Sequence, residues 1–304
     1  MKPLARLLAL LTALTGLAMP AHAEERALLG WGRLFTNDVL GDGYDRWRTG
    51  AYTISIAYGP DWQGVAPDRF GQLLEFRLRS ELIAPESLTA PAVNDRRFVG
   101  AFTLGVHSYS KLGASDLRAG LDLTFTGPQT GLGELQNTIH ETFGLESSKV
   151  LDDQIPNNAY ASLSAELSRE LAFGNARLRP FLEVQAGVES FARVGADLTF
   201  GSYGRGALMA RDITTGHLYQ VIRSREDQGL SFLIGGDMAK VYSSEYLPEE
   251  DGFELTDTRT RLRAGMNWQG DNHGLFYGLT YLSEEFEAQT EGQMVGALQL
   301  RLFF

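Results

Sequence analysis

The sequence predicts an all-β chain: a transmembrane antiparallel β-barrel of about 12 strands, the kind of even number bacterial barrels use, with a short helix in a long extracellular loop. Three observations predict it. Runs of strict apolar/polar alternation recur along the chain. No window approaches the roughly 18 consecutive apolar residues that a membrane-spanning helix needs. Residues 294–304 alternate to the very end, with Leu298, Leu300, Leu302 and Phe304 on one face and Gln299 and Arg301 on the other. A final strand that closes on an aromatic is the form taken by outer-membrane barrels.

Taken in order, the chain opens on a secretory signal. Lys2 and Arg6 precede an apolar run over 7–18, and Ala21-His22-Ala23 is a small-x-small cleavage pattern. Residues 1–23 are therefore read as a signal peptide and 24–304 as one barrel domain. Strands are expected at 26–36, 49–58, 72–84, 97–111, 116–126, 158–172, 177–190, 192–201, 230–243, 257–269, 274–287 and 294–304. The third shows why a barrel is preferred to a soluble sheet. Leu74, Phe76, Leu78 and Leu82 share one face, and Glu75, Arg77, Arg79 and Glu81 share the other. A soluble core would bury those charges at high cost, whereas a barrel turns the apolar row to lipid and the charged row to a polar lumen. The same split places Arg118, Asp122, Ser162, Ser164, Glu166, Arg261, Arg263 and Asn267 inside. In the first strand Arg33 and Leu34 blur the alternation.

With both termini periplasmic, segments 37–48, 85–96, 127–157, 244–256 and 288–293 lie outside. Short Gly- and Asn-containing stretches at 111–115, 173–176 and 269–273 become periplasmic turns. Residues 202–229 are a long stretch on the periplasmic side with no role legible in the sequence. Within the longest outer loop, residues 132–143 (LGELQNTIHETF) place Leu135, Ile139 and Phe143 at i, i+4 and i+8, which predicts a helix stopped by Gly144. A structured element in a loop of that length calls for a function.

Composition narrows the chemistry. There is no cysteine, which rules out disulfides and thiolate metal sites. A formal net charge of -11 argues against nucleic acid as a partner. The 34 glycines and 11 tyrosines suit a barrel and equally a soluble β protein.

Three polar groups fall at the predicted outer rim. Gln136 and His140 stand four apart and project from one face of the predicted helix. His140 is either a solvated loop histidine or a general base, since imidazole titrates near working pH. Asn37-Asp38 ends the first strand and reads as an Asx-type turn or as a polar site. Asp45-Arg46 opens the second strand and reads as a surface pair or as part of the same site. Thr49 shares strand parity with Thr53 and Ser55 and faces the lumen.

These motifs, in this order, resemble the outer-membrane lipid A 3-O-deacylases, small calcium-dependent barrel hydrolases. The resemblance is carried by Asn37-Asp38, Asp45-Arg46 leading to Thr49-Gly50, and Asp95-Arg96-Arg97-Phe98-Val99-Gly100. It continues through Gly127-Pro128, Glu134-Leu135-Gln136-Asn137-Thr138-Ile139-His140, Asp153-Gln154 and Ser283-Glu284-Glu285-Phe286. It spans essentially the whole mature chain and implies a catalytic set of His140, Asn37, Asp38, Thr49 and Gln136. In that set His140 activates water and Asp38 binds Ca²⁺, which polarises the scissile ester carbonyl. It also implies lipid A or lipopolysaccharide as substrate, outer-membrane lipids as surroundings, and an active site at the extracellular rim.

One departure stands out. The family's best-studied pattern has a lysine in the outer loop after the third strand, and residues 85–96 contain none. Arg96 and Arg97 are the candidates to face a lipid phosphate instead. A small barrel with an outward site needs no partner subunit, so a monomer is expected. An outer-membrane phospholipase is the nearest alternative, although no Ser/His pair or G-x-S-x-G elbow is present. A non-enzymatic barrel, narrow pore or structural protein, is the alternative of a different class. A soluble periplasmic β-sandwich leaves the charged rows and terminal Phe304 unexplained.

Overall fold

The computed structural model describes residues 25–144, 147–224 and 228–302, so the signal-peptide reading and Phe304 lie outside the described residues. Strict alternation sets the wall. The first six segments are β1 (Ala27–Asn37), β2 (Trp47–Gly59), β3 (Leu73–Ala84), β4 (Val99–Leu112), β5 (Ser115–Thr126) and β6 (Asn158–Ser168). A short β7 (Leu171–Phe173) continues the line of β6, because both pair with β8 (Ala176–Ala186) in one register. The wall then runs through β9 (Glu189–Phe200) and, after an interruption by β10 (Leu208–Arg211) and β11 (Leu218–Ile222), through β12 (Gly229–Ser244), β13 (Arg259–Gln269), β14 (His273–Leu282) and β15 (Gln293–Leu302). Each wall strand pairs antiparallel with its neighbours, and β1 meets β15, so twelve wall strands close a barrel among the described residues. Closure removes the sheet edges that hydrocarbon would not tolerate.

The predicted faces hold. Glu75, Arg77, Arg79 and Glu81 are buried inside, as are Arg118, Asp122, Glu166, Arg261 and Arg263. Phe76, Leu121, Leu163, Leu262 and Trp268 stand exposed on the outer surface. Arg33 is the exception on β1: it shares the outward face with Trp31 and Phe35, while Leu34 points in and is fully buried.

Inside, most acids of the charged rows meet an arginine, and Asp122 meets His107 at 3.1 Å. Arg77 pairs with Glu75 at 2.8 Å, Arg261 with Asp237 at 2.8 Å, and Arg211 bridges Glu166 and Asp197 at 2.9 Å each. Pairing is what makes buried charge tolerable. Arg211 does not come from the wall. It belongs to the β10–β11 hairpin, which enters from the short-turn end and fills the lumen. Both hairpin strands are buried throughout. At its tip Thr214 donates to Glu81 at 2.9 Å, Arg261 donates to the carbonyl of Ile213 at 2.6 Å, and Thr280 donates to the carbonyl of Thr215 at 3.1 Å. Below the tip, Leu208, Tyr219, Val221 and Ile222 pack against Leu34, Leu73 and Phe276 of the wall as an apolar core. Within 202–229, a stretch without a role in the sequence reading, residues 208–222 therefore form an internal plug. Between Arg48, Arg79, Glu81, Asp122 and Tyr246 the lumen keeps a space of about 20 Å³, room for roughly one water. That is poor ground for a pore.

Candidate active site

The long loops gather at the end of the barrel opposite the hairpin's entry. The helix α1 (Leu132–Phe143) forms over the predicted residues and ends on Gly144, whose φ of 71° takes the left-handed cap that favours glycine. Its polar face turns inward, with Gln136 and His140 buried. Its apolar row, Leu135, Ile139 and Phe143, is exposed. A water-soluble loop helix would do the reverse. Asn137 ties α1 down: Ser148 N–H donates to its Oδ1 at 2.7 Å.

Below α1, β1 ends in a single 3-10 turn. Asn37 Oδ1 accepts from Val39 N–H at 2.8 Å and caps that turn, whose first residue is the buried Asp38. The chain then turns into β2 through Trp47, the only non-glycine residue with positive φ among those described, at 48°. A bulky residue in that region is strained. The turn is held because Trp47 is buried and the Arg46 guanidinium lies 4.3 Å from its ring.

Asp45 is the hub. His140 Nε2 lies 2.9 Å from Asp45 Oδ2, and Gln136 Nε2 donates to Asp45 Oδ1 at 3.1 Å. The Thr49 hydroxyl lies 2.5 Å from Asp45 Oδ1 and 3.3 Å from Asp38 Oδ1. Thr49 has one proton to give, and the shorter contact takes it. Asp38 is left with the Arg46 backbone N–H, which donates to Oδ2 at 2.9 Å. Asp38 is fully buried. Burial pushes its carboxyl up to about 8, the Asp45 and Asp42 carboxylates add to the rise, and the Arg46 and Thr49 hydrogen bonds oppose it. The structure thus brings Asn37, Asp38, Thr49, Gln136 and His140 together. It adds Asp45, which the sequence reading weighed between a surface pair and a site residue and did not include in the catalytic set. The available signal was the four-residue spacing of Asp45 and Thr49 inside YDRWRTG.

Arg96 and Arg97 do not face this site. Arg96 is buried against Glu285, and Arg97 is held by Asp251 at 3.1 Å and by the carbonyl of Gln154 at 2.9 Å. Each already serves loop carboxylates or carbonyls. Glu285 also receives Arg48 at 2.8 Å and Arg259 at 3.4 Å. Burial alone would raise its carboxyl, but Arg48, Arg259 and Arg96 hold it well below the usual range.

A cavity of about 890 Å³ opens beside Asp45. Its polar floor carries Asn37, Asp45, Thr49, Gln136 and His140, and its outer wall is apolar, with Phe35, Tyr52, Leu82, Leu135 and Ile139. Among the described residues no lysine or arginine lines it. A family model described as outer membrane protein LpxR matches residues 7–304. The chain belongs to the LpxR family. This is the lipid A deacylase family anticipated from the motifs, and it places the protein in the bacterial outer membrane. LpxR from Salmonella typhimurium has a similar structure, with a TM-score of 0.72 at 17% identity over 90% of this chain and 100% of that one. The likeness extends to the fold. Two other barrels are more distant. The β domain of the Bordetella autotransporter BrkA scores 0.42 at 12% identity, covering 90% of this chain and 99% of its own. An outer-membrane channel from Pseudomonas putida F1 scores 0.43 at 15% identity, covering 94% and 100%. No curated protein matches the chain significantly.

Proposed function

We propose that this LpxR-family barrel hydrolyses the 3-O-linked acyl esters of lipid A, with His140 as general base and its site at the extracellular rim. The observation that carries the reading is the His140–Asp45 contact at 2.9 Å, set on the polar floor of a cavity whose outer wall is apolar. The exposed row Leu135, Ile139 and Phe143 continues that wall. Acyl chains stay in hydrocarbon along it while the ester reaches the floor.

Asp45 accepts the Nε2 proton of His140 and so selects the tautomer whose Nδ1 is basic. Gln136 and Thr49 hold the Asp45 carboxylate from its other side. Nδ1 takes a proton from water as the water oxygen adds to the ester carbonyl. The same proton then passes to the departing 3-oxygen as the acyl chain leaves as a carboxylic acid.

The donor set suits a hard cation. Among the described residues no three acidic or histidine side chains converge as a metal cluster. An ion here would take Asp38 together with neutral oxygens of Asn37, Thr49 and Gln136. Two features support that fit. Asp38 is buried with no guanidinium or ammonium against it, and Gln136 Oε1 is buried without a hydrogen-bond partner among the described residues. Ca²⁺ held there would supply Lewis-acid stabilisation of developing negative charge on the ester oxygen.

The test is mass spectrometry of lipid A from cells with and without the protein. Loss of one 3-O-acyl mass, absent with His140→Ala, is the expected result. Unchanged lipid A together with hydrolysis of glycerophospholipid by the purified protein would favour the phospholipase alternative.

A further inference from the structure

β2 does not pair evenly with β3. Between the pairs Trp47–Ala84 and Gly50–Leu82 the register slips, and β2 carries one residue more than its partner. Such a bulge re-aims side chains. Continuing the alternation of Ala51, Thr53 and Ser55 would turn Thr49 inward and Arg48 outward. Instead Trp47, Arg48 and Thr49 are all buried. Arg48 reaches the lumen acids Glu81, Glu189 and Glu285, while Thr49 reaches the rim acids Asp45 and Asp38. The bend that permits both is at Trp47, whose φ of 48° is strained for a bulky side chain.

A backbone that leaves its ladder needs other partners for its N–H and C=O groups. Around Trp47 one side chain supplies them. Gln293, the buried first residue of β15, donates from Nε2 to the Arg46 carbonyl at 2.7 Å and accepts the Arg48 N–H at 3.0 Å. A single amide thus spans the strained residue from both sides. The groups next to this clamp belong to the rim: the Arg46 N–H donates to Asp38, and Asp45 meets His140. The same strand carries a matched case. Gln299, also buried, accepts from Gln220 N–H at 3.2 Å and donates to Gln220 O at 3.0 Å, and so ties β15 to the hairpin in the lumen.

We infer that Gln293 is a positioning residue of the rim site: its amide holds the bulge at Trp47, and the bulge sets Asp45, Thr49 and the Arg46 N–H in place against His140 and Asp38. The kinetic consequence rests on the proposed hydrolysis, whereas the restraint on the backbone does not. Gln299 makes the same two kinds of hydrogen bond away from the rim, and is the control.

The experiment compares Gln293→Leu with Gln299→Leu in the full chain in detergent, with lipopolysaccharide turnover counted per folded molecule from heat-modifiable gel mobility. Each variant keeps a side chain of similar size and loses its hydrogen bonds to backbone. In Gln293→Leu, kcat should fall about tenfold with KM near wild type, within the ~10²-fold that a misplacement of about 1 Å can cost. In Gln299→Leu, kcat should stay near wild type, and only stability should fall. Should leucine at 293 prevent folding, Gln293→Glu keeps the shape and an acceptor for the Arg48 N–H, and should lower kcat in the same direction by less. Amide hydrogen exchange over residues 42–49 separates the inference from the hydrolase reading. Exchange there should quicken in the Gln293 variant and not in Gln299→Leu, whether or not lipopolysaccharide is cleaved. Wild-type protein that cleaves nothing would remove the hydrolase reading and leave exchange to decide. Unchanged exchange over 42–49, unchanged kcat against an active wild type, or equal losses of kcat in the two leucine variants would overturn the assignment.

Discussion

The lumen and the rim of this barrel use the same residue types to opposite ends. In the lumen, acids sit in reach of guanidinium groups, as Glu166 and Asp197 do with Arg211, and the hairpin fills the space between them. At the rim, Asp38 and Asp45 lie on either side of the Thr49 hydroxyl, and what reaches them is a backbone N–H, an amide and an imidazole. Paired charge makes a rigid, inert interior. Acids gathered without an arginine make a place that favours a cation. The lumen thus holds the barrel, and the rim is the part proposed to do chemistry.

The largest expected effect breaks the rim alone. His140→Ala should lower deacylation by about 10²–10⁴-fold, the usual worth of a general base, and leave heat-modifiable mobility unchanged. The counterpart breaks the lumen alone. Arg211→Leu strands Glu166 and should cost about 3–5 kcal/mol of unfolding free energy in a denaturant titration, while kcat per folded molecule stays near wild type. Were Arg211→Leu to abolish turnover in fully folded protein, the two regions would not be separable. A finer test is Asp45→Asn, which removes the acceptor that orients His140. Deacylation should fall about 10²-fold or more, with kcat taking the loss rather than KM.

The smallest effect is on pH. Glu285 links the regions, because it pairs with Arg48 in the wall and Arg96 in the loops. Its folded carboxyl is held well below its ordinary 4.5. The stabilisation is therefore present above 4.5 and is lost as pH falls through the lower folded value. Thermal unfolding midpoints should drop on acidification below about 4.5, and Glu285→Gln should be less stable at neutral pH but lose less on acidification.

Most of the wall was legible because alternation is a local property. The row from Leu74 to Leu82 declares two faces within one strand, and α1 declares its period within three turns. The plug was not legible, because β10 and β11 are buried on both faces and carry no alternation. Their partners are also remote: Thr214 and Glu81 are 133 residues apart. Asp45 was hidden in the same way, since its meaning comes from α1, and Gln136 lies 91 residues away. Arg33 blurred the first strand for a physical reason: it faces outward while Leu34 turns in to pack on the plug. Arg96 misled because a loop arginine next to a strand is normally solvated, and here it is buried on Glu285.

On the proposed reading the rim acids Asp38 and Asp45, without guanidinium partners among the described residues, form a cation-dependent hydrolase site. The most direct test of that reading is mass spectrometry of lipopolysaccharide incubated with the purified protein, wild type and Asp38→Asn, with calcium and with chelator. Release of the 3-O-acyl chain is expected from wild-type protein with calcium, and its loss in the other three conditions. Equal release by the variant, or release undiminished by chelator, would contradict it.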